Sequence, residues 1–76
     1  MKYIEQIKVM SENMWNSIFW YNIDITPEAR ELLEIVNSWE TVNDVDPVMF
    51  FEFENLCFDI LQVIQGKERK IIKIEN

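Results

Sequence analysis

Apolar residues recur at three-residue and four-residue steps in three stretches of the chain, and turn-forming residues separate the stretches. In the middle stretch the acidic residues fall between the apolar ones, which is the pattern of an amphipathic helix. Thr26-Pro27 and Asp46-Pro47 each supply an N-cap followed by a first-turn proline. Gly66 supplies the left-handed position at which many helices end. We therefore predict helices over residues 3–20, 27–42 and 47–65.

Two segments outside these helices carry weaker signals. Residues 21–25 alternate between apolar and polar side chains, and we interpret them as an extended connection. Three β-branched isoleucines favour a short strand within the tail, residues 67–76. Such a strand would pair with residues 3–9, with the extended connection or with the same tail of another copy. The predicted fold class is mainly α, a small three-helix bundle, and a short C-terminal strand is an optional addition to it.

The third predicted helix is apolar over most of its circumference. Only one narrow strip of it is clearly polar, Glu52, Asn55, Asp59 and Gln62. A helix of this kind lies centrally in a bundle, or it contacts a neighbouring molecule as well as its own domain. We assign Phe50, Phe53 and Trp39 to the core. Four further apolar residues are candidates either for the core or for a contact surface, namely Val9, Trp20, Phe51 and Phe58.

Charge is distributed unevenly along the 76 residues, which have a formal net charge of −7 and suit one domain, residues 1–76. Residues 9–66 contain eleven acids and one base, Arg30, so that eleven minus one leaves −10 for this region. The remaining bases lie near the two ends. We expect no direct binding of nucleic acid, because such binding requires clustered Lys or Arg. An anionic membrane surface would also repel this region.

The residue types that usually carry catalysis are scarce. The chain has no histidine, one cysteine and one glycine, so it lacks the common general base and the usual phosphate-binding loop. Cys57 falls on the apolar face of the third helix, and we interpret it as a core thiol. Asp44 and Asp46 do not fit a calcium loop, because Val48 and Met49 follow where a further ligand and a glycine are needed. We interpret Asp46 as a helix cap and Asp44 as a turn residue, and we expect no enzyme activity, cofactor or metal site.

The sequence also gives an expectation for location. Nothing near residue 1 resembles a signal peptide, and charges or amides interrupt every apolar run before it reaches the roughly 20 residues of a membrane span. A lone cysteine forms no intramolecular disulfide. We expect a soluble, cytoplasmic protein.

The acidic residues suggest a function. Glu28, Glu31 and Glu34 repeat every three residues, a rise of about 4.5 Å per step, which is loosely similar to the roughly 3.4 Å spacing of phosphates along a DNA strand. In size and composition the chain resembles small phage-encoded inhibitors and DNA mimics, although no motif identifies a family. We therefore predict a small acidic protein-binding inhibitor, and we extend the hypothesis to a DNA mimic that occupies the basic surface of a nucleic-acid-associated protein.

Two groups of residues are predicted to carry this binding. The acidic group is Glu28, Glu31, Glu34, Glu40, Asp44, Glu52 and Asp59. The apolar group is Trp20, Phe51 and Phe58, which would contact the partner or form a homodimer. The alternative function is a small helical adaptor or assembly subunit that acts through an apolar interface, and in the plainest interpretation the charge only keeps the protein soluble.

Overall fold

The computed structural model describes the backbone of residues 2–75 and the side chains of residues 3–67. The helices are α1 (Lys2–Tyr21), α2 (Pro27–Ser38) and α3 (Pro47–Glu75), and a single 3₁₀ turn (Val42–Asp44) lies between α2 and α3. No strand occurs within residues 2–75, and each helix contacts the other two. The prediction of a mainly α three-helix bundle is confirmed.

Both predicted helix starts are confirmed by their capping hydrogen bonds. At α2, the backbone N–H of Ala29 donates to Thr26 Oγ1 over 3.1 Å. At α3, Asp46 Oδ1 accepts from the backbone N–H groups of Val48 and Met49 over 2.9 and 3.3 Å. Each cap satisfies N–H groups that the first turn of a helix leaves without an intrahelical acceptor.

α1 ends in a left-handed turn at Asn22, where φ is 54°. The N–H of Ile23 donates to the carbonyl of Ile18 over 3.0 Å, and the N–H of Asn22 donates to the carbonyl of Phe19 over 3.3 Å. These two hydrogen bonds form a Schellman motif, for which asparagine is a common substitute for glycine. The chain then continues through residues 23–26 without regular structure, close to the connection predicted at 21–25.

α2 ends at Ser38, four residues before the predicted boundary at residue 42. Trp39 has φ −66° and ψ 132°, which takes the chain out of the helix. The N–H groups of Glu40 and Thr41 then donate to Asp44 Oδ2 over 3.0 and 3.1 Å. Because Asp44 gives these two groups an acceptor outside the helix, Glu40 lies in the connection and not on α2.

α3 is longer than predicted, and the predicted C-terminal strand is wrong. Residues 67–75 continue the helix to Glu75, while Asn76 lies outside the described residues. Gly66 does not adopt a positive φ and does not end the helix. A glycine inside a helix costs only about 1 kcal/mol relative to alanine, and a strand at this position finds no neighbouring strand within residues 2–75. A helix satisfies its own backbone groups, so the β preference of the isoleucines does not decide the outcome.

The hydrophobic core lies where the three helices meet. Its buried members are Ile4, Ile7, Met14, Leu33, Val36, Trp39, Phe53, Cys57 and Ile60. The predictions for Trp39, Phe53 and Cys57 are confirmed, and Phe50 is partly buried with its ring centroid 6.2 Å from that of Phe53. Leu33 and Ser11 are fully buried although the apolar pattern did not identify them.

Candidate partner-binding groove

An open groove of about 550 Å³ runs along the surface between α2 and α3. Its floor is made by apolar side chains from both helices, Ala29, Leu32, Ile35, Met49 and Leu56. These residues are half-buried. They lie at the margin of the core, so each also leaves part of its side chain open to solvent and available for contact.

Four carboxylates line the groove above this floor. Glu28 and Glu31 come from α2, while Glu52 and Asp59 come from α3. All four are exposed, and none of the lysine or arginine side chains within residues 3–67 lines the groove. Among the side chains of residues 3–67, none forms an ion pair with them. The groove therefore combines an apolar floor with negative charge that the described side chains do not neutralise.

Helical periodicity explains how α3 contributes to both parts of the groove. Glu52 and Asp59 are seven residues apart, which places them on the same side of the helix and about 10.5 Å apart along its axis. Met49 and Leu56 are also seven residues apart and lie one row closer to the core. A carboxylate row and an apolar row thus run side by side along α3.

A smaller depression of about 270 Å³ continues the groove past the start of α2. The residues it has in common with the groove are Ala29, Leu56 and Asp59. It adds a fifth carboxylate, Asp24, and extends along α3 as far as Val63. From Met49 to Val63 the continuous surface covers fourteen helical steps of about 1.5 Å each, or about 21 Å of helix.

Three of the predicted acidic residues lie outside this surface. Glu34 is exposed on α2 but does not line the groove, and Glu40 and Asp44 belong to the connection after α2. The backbone N–H groups of Glu40 and Thr41 hold the pKa of Asp44 below its usual value. Asp44 therefore stabilises the loop. Of the seven predicted acidic residues, only Glu28, Glu31, Glu52 and Asp59 lie together along the groove.

The three predicted apolar contact residues are exposed, but none of them lines the groove. Phe51 and Phe58 are 64% and 61% exposed and lie seven residues apart on the outer side of α3. Trp20 is 81% exposed near the end of α1, beside Phe19, which is 89% exposed. The structure therefore separates the predicted acidic and apolar groups into different surfaces.

Asp24 and the floor of the groove were not predicted from the sequence. Leu32 and Ile35 belong to the apolar stripe of α2, so their spacing predicted burial and gave no reason to expect partial exposure. The sequence feature that could have indicated their partial exposure is their position at the edge of that stripe, one helical turn from Glu28 and Glu31. An apolar residue with an acidic neighbour one turn away marks a boundary between core and surface.

Comparisons with models of protein families, with curated proteins and with solved structures find no match to this chain. Among the described residues, no group of three or more His, Cys, Asp or Glu side chains is placed to hold a metal ion. None of the described helices is long and apolar enough to cross a membrane.

Burial, and secondarily the negative charge of Glu54, raises the pKa of the Cys57 thiol to about 11. Cys57 is therefore a protonated, poorly nucleophilic thiol near neutral pH.

Proposed function

We propose that this protein is a small, non-catalytic inhibitor that binds a basic protein through the groove between α2 and α3. The observation that supports this function is the combination of four carboxylates with an apolar floor, and with no basic side chain among those described in the lining. A purely solubilising charge would not need to lie along an apolar surface. A binding surface needs both features.

The charged and apolar parts of the groove would contribute differently. The net charge of −7 attracts a positively charged partner over a distance and increases the association rate. Each exposed ion pair then contributes at most about 1 kcal/mol, because water and salt screen it. Most of the affinity must come from apolar contact with the floor, while the carboxylates select a basic partner over other apolar ones.

The proposed class of partner follows from this charge preference. Clustered lysine and arginine residues are the electrostatic signature of nucleic-acid-binding surfaces. We propose that the groove carboxylates take the place of phosphates on such a surface, and that this protein and nucleic acid compete for it in the cytoplasm. The mimicry is confined to Asp24, Glu28, Glu31, Glu52 and Asp59, because Glu34, Glu40 and Asp44 lie elsewhere.

Two charge variants test this function. The groove variant is E28Q/E31Q/E52Q/D59N, and the matched control is E12Q/E34Q/E40Q/E54Q, which changes four exposed acids outside the groove. Each variant removes four negative charges, so both change the net charge from −7 to −3. Any difference between them reports on position and not on total charge.

The partner is captured from an extract of the source cells on the immobilised protein, identified, purified and then titrated by calorimetry. We expect the groove variant to bind at least about tenfold more weakly, a loss of about 1.4 kcal/mol, while the control variant loses much less. We also expect nucleic acid to compete with this protein for the partner. Equal weakening of both variants, or simultaneous binding of nucleic acid, would show that the groove does not act as proposed.

A second candidate function is a small adaptor or assembly subunit. The observation that favours it is the exposure of Phe51 and Phe58 on one side of α3, away from the groove. Sedimentation equilibrium of the native chain and of F51A/F58A tests it. A dimer that the double variant converts to a monomer supports an assembly role, and a monomer at about 100 μM argues against a homodimer.

A further inference from the structure

We infer that the groove receives an amphipathic α-helix of the partner, with apolar side chains along one face and lysine or arginine along both edges of that face. This inference rests on the proposed function, because it specifies which part of a basic protein the groove binds. The length of the groove, the secondary structure of its walls and the placement of its carboxylates each support it.

The length of the groove matches a helix of about four turns. Its surface extends about 21 Å from Met49 to Val63, the length of about fourteen helical residues. Apolar side chains at positions i, i+4, i+7 and i+11 of a bound helix would span about 16.5 Å and remain on one face. They would pack between the half-buried side chains of α2 and α3 as neighbouring helices do in a bundle.

The walls of the groove favour a helix over an extended peptide. Both walls of its main part are helices, and no sheet edge occurs within residues 2–75. The groove thus presents side chains and no row of backbone groups to which an extended peptide could add as a strand. An extended peptide lying there would bury backbone N–H and C=O groups without partners, whereas a helix satisfies its own.

The carboxylates specify where the charges of the bound helix lie. Glu28 and Glu31 stand on the α2 side, and Glu52 and Asp59 stand on the α3 side. A helix that lies between them meets negative charge along both of its edges, so basic residues must flank its apolar stripe on both sides. A helix with acidic edges, as in α2 of this chain itself, would be repelled.

Two synthetic peptides of about sixteen residues and identical Leu, Lys and Ala composition test the inference with the full-length protein. In the first peptide, leucines follow the i, i+4, i+7, i+11 pattern with lysines on both sides of the stripe. In the second, the same residues are reordered so that this pattern is lost. Affinity is measured by calorimetry at about 50 mM and about 300 mM salt, and peptide helicity is measured by circular dichroism.

We expect the patterned peptide to bind at least about tenfold more tightly than the reordered one and to become helical on binding. We also expect E28Q/E31Q/E52Q/D59N to weaken this binding at least about tenfold, with much less effect from E12Q/E34Q/E40Q/E54Q. Equal binding of the two peptides, or binding of neither, overturns the helical inference. The proposed function is decided separately by the captured partner and its competition with nucleic acid.

A second copy of this chain is the competing occupant, because the only cluster of bases in the sequence is Lys67, Arg69, Lys70 and Lys73. Sedimentation of the native chain is compared with that of a variant in which these four residues are glutamine. Self-association that disappears both in this variant and in the groove variant would identify the C-terminal segment of another copy as the occupant, and would overturn the inference of an external helix. A monomeric native chain that binds the patterned peptide supports it.

Discussion

Ser11 is a buried polar residue on the core side of α1, and its hydroxyl has no hydrogen-bond partner among the described residues. Its side chain is 0% exposed, and Ile7 and Met14, one turn before and after it, are core residues. Burial of a hydroxyl without a hydrogen bond costs about 1–3 kcal/mol. The structure therefore predicts that Ser11→Ala stabilises the protein.

The magnitude of this gain can be worked out from three contributions. Removal of the unpaired hydroxyl recovers about 1–3 kcal/mol, and the higher helix propensity of alanine adds about 0.5 kcal/mol. The lost oxygen leaves a void of roughly 15 Å³, which costs about 0.4 kcal/mol. The net expectation is a gain of about 1–3 kcal/mol, which raises the Tm of a domain of this size by at least about 4 °C.

Thermal and urea unfolding followed by circular dichroism measure this change. Ser17→Ala is the matched control, because Ser17 lies on the same helix and is only half-buried, so that it reports mainly the gain in helix propensity. An equal gain for both variants would refute the argument from burial. A loss of stability for Ser11→Ala would show that the hydroxyl donates to a carbonyl of the preceding helical turn.

Three further predictions concern the core, the cysteine and the loop. Phe53→Ala should lower the free energy of unfolding by about 3–5 kcal/mol and Phe51→Ala by less than about 1 kcal/mol, because only Phe53 is fully buried; similar losses in urea unfolding would place both rings in the core. The pKa of Cys57 is raised in the folded state from 9.0 to about 11, so the unfolded chain loses its proton first and stability should fall as the pH rises between these values. Cys57→Ala should not show this fall in stability with rising pH. Superimposable plots of the free energy of unfolding against pH for the two proteins would contradict the prediction. The pKa of Asp44 is lowered from 3.8 in the folded state, so its stabilising contribution is complete above that value and is lost as the pH falls through the folded pKa. Asp44→Asn should therefore flatten the acid side of a plot of urea midpoint against pH, and an unchanged slope there would argue against this role.

Local sequence signals identified where the helices begin and were less successful at their ends. The caps at Thr26 and Asp46 form between residues two or three positions apart, so adjacent residues are enough to predict them. The end of α2 depends on Asp44 reaching back to the backbone of Glu40. The continuation of α3 through Gly66 depends on the absence of a neighbouring strand within residues 2–75, which no local pattern reveals.

The candidate site was predictable only in part, for a similar reason. Charge alone identified Glu28, Glu31 and Glu34 as equivalent members of one series. Each residue of an α-helix turns by about 100°, so Glu34 points about 120° away from Glu28 while Glu31 turns only about 60°. The packing of α3 against one side of α2 then separates Glu34 from the other two. That packing arises from the tertiary structure and was not available from the spacing.

The connections between the helices are short, residues 22–26 and 39–46. Helices that are consecutive in the chain therefore pack against each other, and small helical bundles of this kind typically fold within microseconds to milliseconds. Capping hydrogen bonds at Asn22 and Thr26 fix the first connection to the adjoining helices, and the bond from Glu40 to Asp44 fixes the second connection internally. These bonds reduce the number of backbone conformations that the chain samples during folding. We expect stopped-flow refolding to finish within about milliseconds, so that a chain released from denaturant re-forms the groove between α2 and α3 before slower association with other molecules begins.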